Sequence, residues 1–280
     1  MRSRLHLARW LVVTFICVWS LFPIYWALNT SLMSNSTAQA IPTHFSPFPI
    51  DLSNYAHIFS STGEYGLWPS FSQSVVNTVI ECAAATVVTI VIAVFSAYAF
   101  ARMQFRFKNA IFYVVIATLT LPAYATLIPL YRIMSQVHLV NTYTGVVLVY
   151  VSGFLPLAIW ILYNYFMTIP KALEEAAFVD GASALTALVR IILPLTGPGI
   201  ASAAIITFLT AWGQFLFPLV LTTDISTQPL TVFLTGLQGR FVIPYTLLNA
   251  TGVLSIVVPA LVVMFLNRYI IRGMMAGSVK

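Results

Sequence analysis

Three of the seven carboxylates in the sequence lie close together, in the segment EEAAFVDGASALTALVRIILP at residues 174–194. Glu174 and Glu175 open this segment, and Asp180 lies directly before a glycine. In an α-helix, residues spaced i, i+3, i+4 and i+7 share one face. The residues with this spacing are Leu173, Ala176, Ala177 and Asp180. Small side chains let the backbone of a partner approach closely, so this face predicts a docking surface for another protein.

Turn and capping residues in the same segment predict two short helices. Pro170 suits the first turn of a helix, and Gly181 can take the left-handed conformation that ends it. Ser183 is a candidate N-cap for a second helix. We expect that helix to run through Arg190 and to be broken by Pro194. The alternative is a helix lying on the lipid surface, but such helices usually carry Lys and Arg opposite bulky apolar residues.

The sequence lacks the motifs of common catalytic and metal sites. It has no Gly-x-x-x-x-Gly-Lys-Ser/Thr loop, so we do not expect it to bind ATP by that route. It has no His-Glu-x-x-His motif, no Cys/His cluster and no Gly-x-Ser-x-Gly elbow. We therefore expect neither catalysis nor a metal site in this chain. The basic residues behind the net charge of +6 are scattered, which does not predict nucleic-acid binding.

The elements that must position the acidic segment are membrane helices. The sequence is 60% hydrophobic and only 7% charged, whereas a soluble domain carries about 25% charged residues. The alternating polarity of a membrane barrel is absent, so we predict an all-α integral membrane protein with six transmembrane helices. The predicted spans are 10–28, 75–100, 110–131, 144–166, 197–221 and 250–266. The first apolar stretch exceeds the roughly 7–15 residues of a signal-peptide core, so we expect it to remain attached.

The distribution of Lys and Arg predicts the orientation. If the six spans alternate, eleven of the thirteen basic residues fall on one side, and only Arg132 and Arg240 fall on the other. Cytoplasmic loops carry the excess of Lys and Arg. Both termini and the loop at 168–194 are therefore predicted to be cytoplasmic, and the longer loops at 29–74 and 222–249 to be external.

A few polar or aromatic residues within or near the spans are candidates for lining a solute pathway. These are Asn77, Glu81, Tyr124, Trp212 and Gln214. Each has an equally plausible packing role. Glu81 is the clearest ionisable residue inside a span, and such residues are functional by default. It can line an aqueous cavity, pair with a neighbour such as Asn77, or reach the outer interface.

The acidic segment also resembles the cytoplasmic motif of binding-protein-dependent ABC importer permeases. That motif reads Glu-Ala-Ala, three residues, Gly, nine residues, Ile-x-Leu-Pro. It is matched without a change of spacing by Glu175, Ala176, Ala177, Gly181, Ile191, Leu193 and Pro194. Stretches at 97–112, 127–148 and 211–222 are similar to the carbohydrate-uptake branch, in particular to the second permease of the maltose type. That branch often has Asn-Glu or Asn-Gln after the tryptophan, whereas this sequence has Gly213-Gln214, a departure at one position.

The resemblance implies a type I permease fold and a set of partners. The Glu-Ala-Ala loop would seat in a cleft of an ATP-hydrolysing subunit, where Glu175 and Gly181 matter most, and Asp180 lies on the same surface. The expected assembly contains a related second permease, two ATP-binding subunits and an external solute-binding protein in a prokaryotic plasma membrane. ATP and Mg would be bound by the partners, so we expect no cofactor in this chain. The loop at 222–249 would contact the binding protein, and the tail at 273–280 the ATPases.

Two other functions remain open from the residues. A self-sufficient secondary carrier or channel would need no ATPase, but such carriers usually bury several titratable groups in their spans. A scaffold or receptor subunit would dock an ATPase without passing solute. The docking loop and the small number of intramembrane ionisable residues favour the importer permease.

Overall fold

The structure, a computed structural model, describes residues 2–62, 66–240 and 244–276. It is built from helices, and no strand occurs in these ranges, in agreement with the predicted all-α class. The α-helices are α1 (Arg2–Ser31), α2 (Asn35–Ala38), α3 (Ser53–Phe59), α4 (Trp68–Arg102), α5 (Lys108–Ala117), α6 (Ala123–Gln136), α7 (Tyr143–Thr168), α8 (Ala172–Val179), α9 (Ala184–Ala187), α10 (Leu193–Leu195), α11 (Gly197–Trp212), α12 (Leu216–Leu221), α13 (Leu230–Arg240) and α14 (Tyr245–Ala276). A 3-10 turn at Thr118–Thr120 follows α5, and a π-helical turn at Leu188–Ile192 joins α9 to α10.

Four helical segments of the described chain are long and apolar enough to cross a membrane. They are Arg9–Ser31, Trp68–Arg102, Tyr143–Thr168 and Tyr245–Leu266. Two further helix pairs satisfy the same length and composition criteria together, but each is sharply bent. Length and composition therefore give four spans, or up to six if each bent pair is one span.

The third predicted span, 110–131, contains a sharp bend. The segments Lys108–Thr120 and Ala123–Gln136 meet at an angle of 102°. Leu121 lies between them in an extended conformation with φ −68° and ψ 126°. Because the ring of Pro122 excludes the α conformation at the preceding residue, the helix cannot continue through Leu121.

The fifth predicted span, 197–221, is also interrupted. Helix α11 ends at Trp212, Gly213 forms its C-cap, and α12 starts only at Leu216. Pro218 in the first turn of α12 accounts for the break, because a proline ring clashes with the carbonyl group four residues earlier in a continuous helix. Gln214, one of the pathway candidates, lies inside this interruption.

Two predicted loops contain helices. Helix α4 begins at Trp68, seven residues before the predicted start of the second span, and α13 occupies Leu230–Arg240 within the predicted external loop. The first turns of α4 contain serines and a glutamine. A search for runs of apolar residues therefore does not extend the second span back to the start of the helix. Residues 1, 63–65, 241–243 and 277–280 lie outside the described residues. The last four residues of the tail at 273–280, which is expected to contact the ATPases, are among them.

The chain divides into two compact units. The first comprises the described residues of 1–73 and 232–257. In it, the Asn54 side chain donates hydrogen bonds to the carbonyl oxygens of Ser31 and Met33, each at 3.0 Å, and accepts one from the Thr246 hydroxyl at 3.0 Å. A buried amide thus connects three segments that lie far apart in the sequence.

The second unit comprises the described residues of 74–231 and 258–276 and contains the acidic segment. Its apolar core joins the C-terminal parts of α4 and α7 to the π-helical turn at Leu188–Ile192 and to α11. The fully or nearly fully buried members include Ala97, Tyr98, Leu162, Phe166, Leu188, Ile192 and Ala203. The second half of the acidic segment is therefore held against a packed core.

Candidate functional site

The first short helix of the acidic segment, α8, is terminated by Gly181. This glycine has φ +82°, in the left-handed region that L side chains rarely adopt. Its N–H donates to the carbonyl of Phe178 at 3.1 Å, and the N–H of Ala182 donates to the carbonyl of Ala177 at 2.9 Å. These two bonds form a Schellman motif, which confirms the predicted end of the helix.

The second short helix starts at the predicted cap. The Ser183 hydroxyl accepts a hydrogen bond from the N–H of Thr186 at 3.2 Å, with Ser183 itself in an extended conformation. Only three residues, Asp180, Gly181 and Ala182, separate α8 from this cap. Because each end is fixed by its own hydrogen bonds, the two helices form a defined corner, which we call the acidic corner (residues 172–187).

The exposed surface of α8 differs from the predicted face at one residue. Leu173, Ala176 and Asp180 are exposed, but Ala177 is buried at 8% exposure. The prediction placed Ala177 with the other three. At about 100° per residue, Ala177 lies at the edge of that face, next to Glu174, and both residues turn towards the core of the chain.

Glu175 and Glu174 point in different directions. Glu175 is exposed in the first turn of α8, where the positive end of the helix dipole favours a carboxylate. Glu174 is buried, and its Oε1 lies 2.8 Å from Nε of Arg102, the last residue of α4. Sequence reasoning missed this ion pair because its partners lie far apart along the chain.

The second half of the motif follows a path different from the predicted one. Ile191 and Leu193 are half-buried and Pro194 is exposed. Pro194 does not break the helix: it lies in the first turn of α10, where its missing N–H is tolerated. The bend of 79° comes two residues later, at Thr196, which has φ −96° and ψ 7°.

The five pathway candidates do not share one exposed lining. Asn77 and Glu81 are fully buried on α4, and Trp212 is nearly so. Tyr124 is 79% exposed near the start of α6, and Gln214 is half-buried. Neither carboxylate oxygen of Glu81 has a hydrogen-bond partner among the described residues, so the proposed pairing with Asn77 is wrong.

Asn77 instead fixes the segment that follows α12. Its Nδ2 donates to the carbonyl oxygens of Ile225 and Gln228 at 3.1 and 3.0 Å, and its Oδ1 accepts a hydrogen bond from the Tyr143 hydroxyl at 2.7 Å. The next residue, Thr78, accepts the N–H of Leu230 at 2.8 Å. The inner face of α4 is therefore bonded to the backbone of residues 225–230.

The same segment is bonded to the turn before α7. Asn141 Oδ1 accepts the backbone N–H groups of Thr223 and Asp224 at 2.6 and 3.2 Å. Within the segment, Asp224 Oδ1 accepts the N–H of Ser226 at 2.9 Å, and this hydrogen bond lowers the pKa of the Asp224 carboxyl. We call residues 222–229 the clamped segment. Sequence reasoning missed it, although the asparagines at its anchors are the residue type that commonly satisfies loop backbone groups.

The described residues contain no group of three or more His, Cys, Asp or Glu side chains that could hold a metal ion. Both cysteines are free, with Cys17 exposed and Cys82 buried. The described geometry offers an exposed helical corner and buried polar anchors.

Comparison with known proteins gives consistent matches over most of the chain. Residues 89–276 match the family described as "binding-protein-dependent transport system inner membrane component". The chain is 32% identical to the sulfoquinovosyl glycerol transport system permease of Agrobacterium fabrum, over 97% of this chain and 93% of that protein. It is 31% identical to the trehalose/maltose transport system permease of Thermococcus litoralis, over 96% and 94%. A chain in the crystal structure of a bacterial ABC transporter for import of the polysaccharide alginate has the same fold, with a TM-score of 0.78, 22% identity and coverage of 95% of this chain and 96% of that one.

Proposed function

The chain belongs to the family of binding-protein-dependent transport system inner membrane components, and from this we propose that it is the permease subunit of an ATP-driven importer for a sugar or sugar-like solute. The observation that carries the proposal is the acidic corner. It presents Glu175, Ala176 and Asp180 on the surface of a helix whose end is fixed at Gly181. A rigid exposed corner of this kind suits docking into a second protein.

The proposed coupling residues are those of the motif. Glu175, Ala176, Asp180 and Gly181 would contact the ATPase directly, since all four are exposed. Ala177, Ile191 and Leu193 are buried or half-buried, so their role would be to hold the corner against the core. Exposed Pro194 lies two residues before Thr196, where the chain would turn towards the membrane. The chain itself would bind neither ATP nor Mg, which its ATPase partners would hold.

The proposed topology counts each bent pair as one span. This gives six spans in one permease domain, with both termini and the acidic corner in the cytoplasm of a prokaryotic cell. The asymmetry of Lys and Arg supports this orientation. In this orientation the clamped segment would lie on the external side, where a solute-binding protein would dock. A second, related permease would complete the translocation pathway, and two ATPase subunits would complete the importer.

The substrate class rests on the relatives. Two of the relatives are named as permeases for sulfoquinovosyl glycerol and for trehalose and maltose. All of these solutes carry several hydroxyl groups on a small neutral or anionic framework. We therefore propose a sugar or glycoside as the transported solute.

The test is purification followed by reconstitution. We expect the tagged chain to copurify with an ATP-binding subunit and a second membrane subunit. In liposomes, we expect this complex to accumulate one of a panel of labelled sugars (trehalose, maltose and sulfoquinovosyl glycerol among them) only with ATP and the binding protein. The control is a complex whose ATPase cannot hydrolyse ATP. Sugar flux through the purified chain alone, without ATP, would show a secondary carrier or channel and contradict the proposal.

A further inference from the structure

The buried ion pair between Arg102 and Glu174 joins the acidic corner to a membrane helix. Arg102 is the last residue of α4, and Glu174 lies in the first turn of α8. The Arg102 Nε and Glu174 Oε1 atoms lie 2.8 Å apart, and the two side chains are only 6% and 7% exposed. An ion pair so far removed from water is costly to break, because either partner would be left as an unpaired buried charge.

The same guanidinium also binds the end of a second long helix. One terminal nitrogen of Arg102 donates to the carbonyl oxygens of Phe166 and Ile169 at 2.9 and 2.7 Å. Both carbonyls belong to the last turn and C-cap of α7, where backbone oxygens lack the N–H partner four residues later that the helix interior supplies. The planar guanidinium carries five donors in a fixed arrangement. It therefore contacts α4, α7 and α8 at one point.

Neighbouring contacts strengthen this connection. One turn before Arg102, the Tyr98 hydroxyl lies 3.4 Å from the carbonyl oxygen of Ala184, the first residue of α9. The Tyr98 ring packs edge-on against Phe166, with ring centroids 6.5 Å apart. Helix α4 thus contacts both short helices of the acidic corner, and Tyr98 and Phe166 themselves belong to the apolar core of the second unit.

We infer that Arg102 and Glu174 are positioning residues that make the acidic corner move together with the ends of α4 and α7. The inference rests on the proposed function, in which an ATPase pushes on that corner. Adjacent carboxylates then have separate roles: exposed Glu175 faces the partner, and buried Glu174 attaches α8 to the membrane helices. Without the ion pair, the ATPase still docks but its movement does not reach α4 and α7.

The test uses the purified complete importer and hydrogen–deuterium exchange, with and without MgATP and vanadate. In the wild type, trapping is expected to change exchange in residues 172–187 and also at 95–102 and 162–169. The central variant is the double substitution Arg102→Met and Glu174→Met. It removes both charges and leaves neither unpaired, which is often neutral for stability. We expect it to assemble and to show the change at 172–187 while losing the change at 95–102 and 162–169.

Each single substitution, Arg102→Met or Glu174→Met, leaves one buried charge unpaired and is expected to reduce assembly. Arg102→Lys keeps the charge but lacks the fork of donors, so we expect normal assembly and a reduced response at 162–169. If the double variant fails to assemble, the response of Arg102→Lys at 162–169 decides whether the inference holds. The matched control is Arg106→Gln, which removes an exposed positive charge four residues further on and should leave the response intact.

A wild-type response at 95–102 and 162–169 in the double variant, or in Arg102→Lys if the double variant does not assemble, would overturn the inference alone. A wild-type chain that binds no ATPase would instead overturn the proposed function and this inference with it.

Discussion

The Tyr143 hydroxyl donates a 2.7 Å hydrogen bond to Asn77 Oδ1 and lies 3.1 Å from the carbonyl oxygen of Ser226. Asn77 in turn donates to two further carbonyl groups of the clamped segment. The backbone between α12 and α13 is therefore fixed by a phenol from α7 and an amide from α4. In the proposed topology this segment faces outward, so its anchors would hold the surface on which the solute-binding protein docks.

Substituting Asn77 by Ala should release the clamped segment. The variant removes the Asn77 donor from the carbonyl groups of Ile225 and Gln228 and leaves the Tyr143 hydroxyl with only the carbonyl of Ser226. Each lost hydrogen bond of this kind costs about 0.5–1.5 kcal/mol. We expect faster hydrogen–deuterium exchange at residues 222–230 and weaker stimulation of ATP hydrolysis by the binding protein. Tyr143→Phe should have a smaller effect in the same direction, because Asn77 keeps its bonds to the segment.

Tyr131→Phe is the matched control for the loss of a phenol, since Tyr131 is exposed on α6. Exchange at 222–230 that is equally fast in wild type and Asn77→Ala would show that these bonds do not hold the segment.

Gly145, in the first turn of α7, has no space for a side chain. A Cβ atom there would clash with the carbonyl oxygen of Leu139, and the Gly145 N–H donates to the capping hydroxyl of Thr142 at 3.0 Å. Gly145→Ala must therefore displace the turn that carries Asn141. We expect a loss of about 2–4 kcal/mol in stability, the range of severe packing defects, measured as a lower thermal unfolding midpoint of the purified chain.

Gly153 on the same helix is the control. Nothing lies within 4 Å of a Cβ built there, so Gly153→Ala should be neutral or slightly stabilising by helix propensity. Equal midpoints for the two variants would contradict the packing explanation.

Gly181 can be tested for backbone conformation and for docking separately. Its φ of +82° disfavours any residue with a Cβ, yet nothing in this chain lies within 4 Å of a Cβ at that position. Gly181→Ala should cost about 1–2 kcal/mol, and Gly181→Asn less, because asparagine tolerates the left-handed region. These stabilities are read from thermal unfolding of the membrane-inserted chain.

Gly181→Asp should also fold and insert, but it should abolish ATP-dependent uptake because its side chain projects from the acidic corner towards the ATPase. Normal uptake by Gly181→Asp would remove this glycine from the docking surface.

Local features of the acidic corner were predictable from sequence, and long-range pairings were not. The Gly181 terminus and the Ser183 cap depend on residues within one turn of each other, so residue types and spacing are sufficient. The bend at Leu121 and Pro122 also follows from a local rule, since a proline restricts the residue before it. In contrast, the Arg102–Glu174 and Asn77–Tyr143 contacts join distant parts of the chain, which a single sequence does not pair.

Packing direction explains the remaining differences. Periodicity places Ala177 near Ala176 and Asp180, but only the position of the core determines that Ala177 faces inward. Likewise, the sequence alone suggests that polar residues in apolar spans line a solute pathway, but it does not show which groups these residues bond to. Asn77 bonds to backbone carbonyl groups, whereas the carboxylate of Glu81 has no hydrogen-bond partner among the described residues.

Glu81 should therefore lower stability in the state that the structure describes. Its side chain is fully buried, and burying a polar group without a hydrogen bond is unfavourable. Glu81→Met keeps a similar volume and removes the carboxyl, so we expect a higher thermal unfolding midpoint of the complete importer, equivalent to about 1–3 kcal/mol.

Two threonines on the same helix provide matched controls. Thr89→Val removes a buried hydroxyl that has no hydrogen-bond partner in the described part of the chain and should be neutral or stabilising, whereas Thr78→Val removes the acceptor of the Leu230 N–H and should destabilise. A Glu81→Met importer with an unchanged or lower midpoint and no uptake would instead show that the carboxyl acts in transport.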